Sequence, residues 1–331
     1  MKNIIVTGGA GYIGSHTIIE LVNAGYNPII IDNLCNSSIK NIEGIEQLIS
    51  KKVKWYNSDC TDRSAMRKIF TEESNIEAVI HFAAYKSVEE SILNPEKYYE
   101  NNIKSLETVL ECMDQFKINN LIFSSSCTVY GIPRKLPIKE NAKFNKATSP
   151  YGETKQHCER LIQEHNCNSI SLRYFNPIGA HKSALIGDLS IGKPTNLIPI
   201  ITDFALGKRT QLKVYGTNYN TADGSCIRDY IHVVDLAKSH VLALDYLFNK
   251  PAKYAFNVGT GKGLSVIEAI ELFGTSNNLK LKYTIGTERI GDIAEIYADN
   301  SLIKKELNWK QELSLEQAMI DAWERAKRTL S

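Results

Sequence analysis

A strand-like run, Asn3-Ile4-Ile5-Val6, leads straight into Thr7-Gly8-Gly9-Ala10-Gly11-Tyr12-Ile13-Gly14. Helical periodicity follows from Tyr12 to about Ala24, where Gly25 offers a natural stop. Few folds use that order of strand, glycine turn and helix. Gly8 and Gly11 let the backbone turn tightly and approach a pyrophosphate, and Gly14 lets the helix pack close to a sheet. The helix N-terminus then presents free N–H groups and a positive dipole end to phosphate. A second strand-like run, 28–32, ends in Asp32. A carboxylate at that distance from the glycines can hold both hydroxyls of an adenosine ribose, and it repels a 2′-phosphate. The pattern therefore predicts a dinucleotide of the NAD type rather than NADP.

The alternation continues. Residues 53–59 read as strand, 63–73 as helix, 78–84 as a buried strand, 96–116 as a long helix, 121–126 as strand, 150–165 as helix and 169–176 as strand. Repeated units of this length predict an α/β fold, a doubly wound parallel (Rossmann) sheet with helices on both faces. Beyond Asn176 the character changes. Pro177, Gly179, Gly187, Gly192 and Pro194 interrupt the alternation. Shorter strands (212–215, 281–285) and helices (232–248, 265–273, 314–327) follow. Residues 1–176 are thus read as a dinucleotide-binding domain and 177–331 as a smaller α/β substrate-binding domain. Segments 228–235 and 254–258 are able to return to the first.

Ser149-Pro150 reads as an N-cap and first helical residue for Tyr151-Gly152-Glu153-Thr154-Lys155. Tyr151 and Lys155 then share a helix face. A free phenol titrates near 10, and an adjacent ammonium favours the phenolate, so the pair is a candidate proton acceptor from an alcohol. Tyr246 and Lys250 repeat the spacing, but Pro251 follows at once, which marks a frayed helix end with a solvated lysine. The first pair stands out through its company: the glycine loop, and Ser124-Ser125-Ser126 upstream.

With 39 basic and 37 acidic side chains, net charge is close to zero, which argues against a general nucleic-acid or membrane-surface binder. Seven cysteines without a Cys-x-x-Cys pair suggest a reduced, cytoplasmic protein. No metal-ligand cluster is visible, so no metal is expected. The chain opens on a strand, without an expected signal peptide, and no apolar run reaches membrane-spanning length.

Longer motifs carry a resemblance. They are Asp32-Asn33-Leu34-Cys35-Asn36-Ser37, Ile80-His81-Phe82-Ala83-Ala84 with Lys86, Tyr98-Tyr99-Glu100-Asn101-Asn102 and Phe123-Ser124-Ser125-Ser126 with Thr128-Val129-Tyr130-Gly131. To these add Arg173-Tyr174-Phe175-Asn176-Pro177 and Arg228-Asp229-Tyr230-Ile231-His232-Val233. Over nearly its whole length the chain resembles the extended short-chain dehydrogenase/reductase family, and within it the 4-epimerases of UDP-sugars. The resemblance implies NAD-dependent interconversion of UDP-glucose and UDP-galactose through a 4-keto sugar, in a homodimer paired through helices 96–116 and 150–165. It implies an NAD site lined by Tyr12, Ile13, Asp32, Asn33, Leu34, Cys35, Asn36, Ser37, Asp59, Cys60, Phe82, Ala83, Ala84, Tyr85, Lys86 and Asn101. Ser126 would hydrogen-bond the sugar 4-oxygen and Tyr151 act as base. Lys155 would grip the nicotinamide ribose and lower the tyrosine pKa, and Phe175 would flank the nicotinamide. The UDP-sugar would be held by Lys86, Asn176, Asn196, Leu197, Lys213, Val214, Tyr215, Arg228, Arg289 and Asp292. Two arginines suit a diphosphate, because a planar fork matches phosphate oxygens.

Three departures stand out: Ala84-Tyr85 where Gly-Leu is common, Thr195 before Asn196, and Ile296 where many members carry a tyrosine beside the sugar. The last leaves the N-acetylated sugar pair open. A dehydratase needs added acid and base beside the serine, where Cys127 and Thr128 stand. A UDP-glucuronate 4-epimerase or decarboxylase stays open. A non-catalytic NAD sensor would need neither Tyr151 nor Lys155.

Overall fold

The computed structural model describes residues 1–289 and 292–329. Its first half alternates β1 (Asn3–Thr7), α1 (Tyr12–Asn23), β2 (Asn27–Ile31), α2 (Ile39–Ile49), β3 (Lys54–Tyr56), α3 (Arg63–Glu72), β4 (Ile76–His81), α4 (Val88–Leu93), α5 (Pro95–Gln115), β5 (Asn120–Ser126), a 3-10 turn (Cys127–Tyr130), α6 (Pro150–Glu164) and β6 (Asn168–Tyr174). There follow β7 (Asn176–Ile178), α7 (Leu197–Ala205), β8 (Lys213–Tyr215), β9 (Ile227–His232), α8 (Val233–Asn249), β10 (Lys253–Val258), β11 (Gly263–Ser265), α9 (Val266–Ser276), β12 (Thr284–Gly286), β13 (Glu295–Ile296), α10 (Ser301–Leu307) and α11 (Leu315–Lys327).

Seven strands form one parallel sheet in the order β3-β2-β1-β4-β5-β6-β10. Side chains alternate across it, as the two-residue strand period requires. Ile4 and Val6 face a layer built from α1, α2, α8 and α10, whereas Ile5 faces α3, α5 and α6. Both faces are therefore covered, and the strand order reverses between β1 and β4. In such a sheet the reversal opens a crevice at the strand C-terminal ends.

A second lobe packs Ile198 and Ile201 of α7, Val214 of β8, Phe273 of α9 and Met319 of α11 into one core. The two lobes are not sequential blocks. Segment 254–258 lies in β10, the last strand of the large sheet, paired with β6. Residues 228–232 lie in β9, which pairs with β7, β11 and β13 in the smaller sheet, and α8 then crosses back to pack on α1. Buried Asp229 fixes this crossing. Its carboxylate accepts four hydrogen bonds, from the N–H and hydroxyl of Thr260, the N–H of Gly261 and the N–H of Ala298.

All seven cysteines are free, and every one except Cys35 is buried. Among the described residues no helix is long and apolar enough to cross a membrane, and no cluster of ligands could hold a metal.

Candidate active site

The glycine loop is shaped by contacts only glycine permits. Gly8 has φ +70°, and a Cβ there would sit 2.8 Å from the Ala83 nitrogen. A Cβ at Gly14 would sit 2.3 Å from the Gly8 carbonyl oxygen, so α1 could not come this close to the turn. The N-terminus of α1 carries no side-chain cap and no acidic residue in its first turn. Its N–H groups are left for an anion. A cradle that a side chain would fill, opening on free N–H groups, fits a pyrophosphate.

Asp32 stands at the end of β2, 8% exposed. One carboxylate oxygen accepts from the Ala10 N–H at 3.0 Å, the other from the Leu34 N–H at 2.9 Å and the Ser37 hydroxyl at 2.8 Å. A carboxylate has about four acceptor sites, so capacity remains for a ribose hydroxyl. Asn33 donates to Asp59 at 3.0 Å, and the Tyr85 hydroxyl lies 3.8 Å from Cys35 Sγ. His81 is structural. It is buried, bonded to Thr7 at 2.7 Å, and pushed down to about 3 by burial, with the nearby Lys155 charge adding to the effect.

The reactive group is built by three elements. Ser149 caps α6 by accepting from the Gly152 N–H at 3.2 Å, and Pro150 opens the helix. That sets Tyr151 over the cavity, edge-on to Tyr98. Lys155, 3% exposed, donates to the Ser124 carbonyl at 2.6 Å and lies 4.8 Å from the Phe123 ring. Ser126 ends β5 and accepts from the Thr128 N–H at 3.2 Å and hydroxyl at 3.0 Å.

The electrostatics differ from the sequence expectation. Burial pushes the Tyr151 phenol up to about 12, partly offset by the Ser126 hydroxyl, and the Cys127 and Cys158 thiols push it further up. Burial pushes the Lys155 ammonium down to about 8, against support from Cys158 and Glu159. Lys155 spends its short hydrogen bond on Ser124, and its nitrogen is 5.9 Å from the Tyr151 ring centre. In this arrangement the Ser126 hydroxyl is what counters the rise of the phenol, while Lys155 stands one helical turn away on the same cavity wall.

A second arm reaches the same place from the other lobe. Arg228 donates to the Ile227 and Ile293 carbonyls at 2.9 and 2.6 Å. Arg289 pairs with Asp292 at 3.0 Å and lies 5.0 Å from the Tyr215 ring. Asp292 also faces Arg228 at 3.8 Å, so one carboxylate holds both guanidinium groups in a shared arm. Asn196 precedes α7 without capping it, leaving its amide unengaged by the helix.

One continuous cavity of about 1030 Å³ joins the glycine loop, the Tyr151 group and this arm. It is lined by all the sequence-derived site residues except Leu34, Val214 and Ile296. Leu34 (φ +56°) turns its side chain onto the main core and contributes only its N–H to Asp32. Val214 points into the second core, because strand alternation sends only its neighbours Lys213 and Tyr215 outward. Ile296, 3% exposed, packs behind Cys127 and Phe175 instead of edging the cavity.

The sequence reading omitted Thr128 and Asp188, both on the cavity wall. Asp188 pairs with Lys86 at 3.4 Å, a contact spanning 102 positions that no local pattern announces. Thr128 lay inside a recognised motif and was legible there.

Comparison with known proteins agrees with this geometry. Residues 4–259 match the model of the NAD dependent epimerase/dehydratase family. A UDP-glucose 4-epimerase of Haemophilus influenzae is 45% identical over 325 residues, 97% of this chain and 96% of that one. Among solved structures, a UDP-glucose 4-epimerase from Bifidobacterium longum in complex with NAD+ and UDP superposes with TM-score 0.96 at 42% identity, covering 99% of both chains. One from Stenotrophomonas maltophila, with bound NAD and formylated UDP-arabinopyranose, also gives 0.96, at 40% identity, covering 100% of this chain and 99% of that one. From the match over more than half its length and from these relatives, the chain belongs to the NAD dependent epimerase/dehydratase family.

Proposed function

We propose that this chain interconverts UDP-glucose and UDP-galactose by inverting C4 through a 4-keto sugar, with NAD as its resident cofactor. The observation that carries this reading is the placement of Ser126, Tyr151 and Lys155 in one cavity, between a dinucleotide cradle and a two-arginine arm. Residues 1–176, with β10 in their sheet, would hold NAD, and 177–331 the UDP-sugar. Gly8, Gly11 and the α1 N-terminus suit the pyrophosphate, Asp32 the adenosine ribose, and Lys155 and Phe175 the nicotinamide end. When bound, NAD supplies the redox chemistry, taking a hydride from the sugar and returning it to the opposite face.

The chain's own groups do the rest. Tyr151 takes the 4-hydroxyl proton and later returns one, and Ser126 hydrogen-bonds the 4-oxygen. A phenol near 12 is a weak base at neutral pH, so it needs positive charge close by. Lys155 supplies one charge, and a bound oxidised nicotinamide would supply another. Arg228 and Arg289 anchor the diphosphate while the ketone turns over. The oxidation is undone within each turnover, so the cofactor is regenerated and has no reason to leave.

The test is to offer purified protein UDP-galactose, with UDP-glucose dehydrogenase as the coupled readout. Steady formation of UDP-glucose without added NAD to the epimerase itself supports the reading. No turnover by protein loaded with NAD overturns it. Chromatography of UDP-N-acetylgalactosamine after incubation decides whether the N-acetylated pair is shared. Any control by Ile296 over that choice would act through the Cys127–Phe175 wall.

Cofactor identity is a separate expectation. Denatured, purified protein should release NAD, because Asp32 repels a 2′-phosphate and holds a ribose hydroxyl instead. Release of mainly NADP would remove Asp32 from this role. A homodimer belongs to the same reading. α5 and α6 pack side by side, and Ile92 and Leu93 of the neighbouring α4 are 47% and 73% exposed.

A further inference from the structure

We propose that Thr128 is a positioning residue for the reaction: its hydroxyl fixes the Ser126 hydroxyl as a hydrogen-bond donor to the Tyr151 phenolate. The inference rests on the C4-epimerisation reading above and deepens it.

A serine hydroxyl has one proton and two acceptor lone pairs. The Ser126 oxygen accepts from the Thr128 N–H at 3.2 Å and from the Thr128 hydroxyl at 3.0 Å. With both lone pairs engaged, its single proton is left to donate, to the Tyr151 phenolate before the 4-hydroxyl gives up its proton and to the 4-oxygen afterwards. Tyr151 lines the same cavity wall, and the Ser126 hydroxyl counters the rise that burial gives its phenol. Without the Thr128 hydroxyl, one lone pair is freed. Ser126 can then rotate, accept from the substrate or from Tyr151 itself, and cease to favour the phenolate.

Thr128 is held firmly enough to play this part. Its carbonyl accepts from the Gly131 N–H at 3.2 Å, closing the 3-10 turn. It also lies against the first turn of α6, where a Cβ at Gly152 would sit 3.2 Å from the Thr128 carbonyl oxygen and 3.4 Å from its Cβ. A β-branched side chain has restricted χ1 freedom, which keeps the hydroxyl on Ser126. Thr128, Ser126 and Tyr151 line the same cavity.

The experiment compares Thr128→Val, which keeps the branched shape and loses the hydroxyl, with Thr128→Ser, which keeps the hydroxyl. Both retain the backbone N–H bond to Ser126. Thr128→Val is expected to lower kcat roughly 10–100-fold, the span of one hydrogen bond to a charged group. KM for UDP-galactose should stay within about twofold, a span below half a kcal/mol. The rate rises with pH as the phenol ionises, so the acid limb of the kcat profile should move to higher pH. Thr128→Ser should restore both rate and profile. An unchanged rate and profile in Thr128→Val, or a Thr128→Ser enzyme as impaired as the valine variant, overturns the proposal.

A readout independent of turnover separates this from failure of the functional reading. The ultraviolet titration of Tyr151 is taken as the difference between each protein and its Tyr151→Phe counterpart. It should shift to higher pH in the Thr128→Val background and return in Thr128→Ser. Should the valine variant not fold, Thr128→Ala takes its place in both measurements. No shift overturns the proposal whether or not UDP-sugars are turned over.

Discussion

Tyr151→Phe is expected to lower turnover of UDP-galactose by about 10²–10⁴-fold, the usual weight of a general acid–base group. The substitution removes one oxygen and little else. The edge-on contact with Tyr98, with ring centres 6.5 Å apart, survives in phenylalanine. Ser149 still caps the helix, and Lys155 keeps its bond to the Ser124 carbonyl. NAD content and thermal stability should therefore match the unmodified protein, placing the loss in kcat. The natural control is Tyr246→Phe. Tyr246 and Lys250 have the same spacing, and there the ammonium is closer to the ring, 4.7 Å from its centre. Yet the Tyr246 hydroxyl donates to Glu306 at 2.8 Å, away from the cavity. Its loss should leave turnover unchanged. If Tyr151→Phe keeps turnover within tenfold of normal, another group is the base.

That contrast shows what a sequence can and cannot convey. The Tyr-x-x-x-Lys spacing gives a shared helix face but says nothing of what the lysine bonds. Here Lys155 donates to a main-chain carbonyl of β5, and the hydroxyl that counters the rise of the phenol is that of Ser126. The glycine loop and Asp32 were legible because their physics is local: a turn, a helix end, a strand end. The seventh strand was visible only as a segment able to return, since its partner β6 lies some 80 positions earlier. Helix α2 escaped the reading although Ile39, Ile42, Ile45 and Ile49 repeat at helical spacing and Ser38 accepts from the Lys40 N–H. Gly44 sits in its middle and weakens the propensity signal. The reason for that glycine is distant: a Cβ would lie 2.8 Å from Ile186, which the second lobe inserts into the main core. Ile296 is a different case. Its place beside the sugar came from resemblance, and packing behind Cys127 and Phe175 could only be seen once β13 was placed on β9.

The Arg173–Glu159 pair, a turn below the reactive lysine, supports the second large prediction. Both side chains are buried, at 8% and 5% exposure. The guanidinium binds the carboxylate side-on, with Nε–Oε1 at 2.9 Å and Nη2–Oε2 at 2.6 Å. Its third nitrogen donates to the Tyr130 hydroxyl and the Glu140 carbonyl, each at 2.9 Å. The Tyr130 hydroxyl donates to Asn257 Oδ1, and the Ser125 hydroxyl donates to Glu159. The network thus ties α6, β5, the 3-10 turn, β6 and β10 together directly beneath Ser126 and Lys155. Arg173→Met removes the cation and strands a buried carboxylate, which costs about 3–5 kcal/mol. With roughly 2.1 cal/mol/K of unfolding entropy per residue, a chain of this length should lose about 4–7 °C in Tm. Removing both charges should hurt less than removing one. Arg173→Met with Glu159→Met leaves no unpaired charge, so its Tm should lie above that of Arg173→Met alone. Calorimetry of Arg173→Met, Glu159→Met and the double variant decides. A single variant within about 1 °C of the unmodified protein, or a double variant that simply sums the two losses, would mean the pair is solvated and carries no part of the floor under Tyr151 and Lys155.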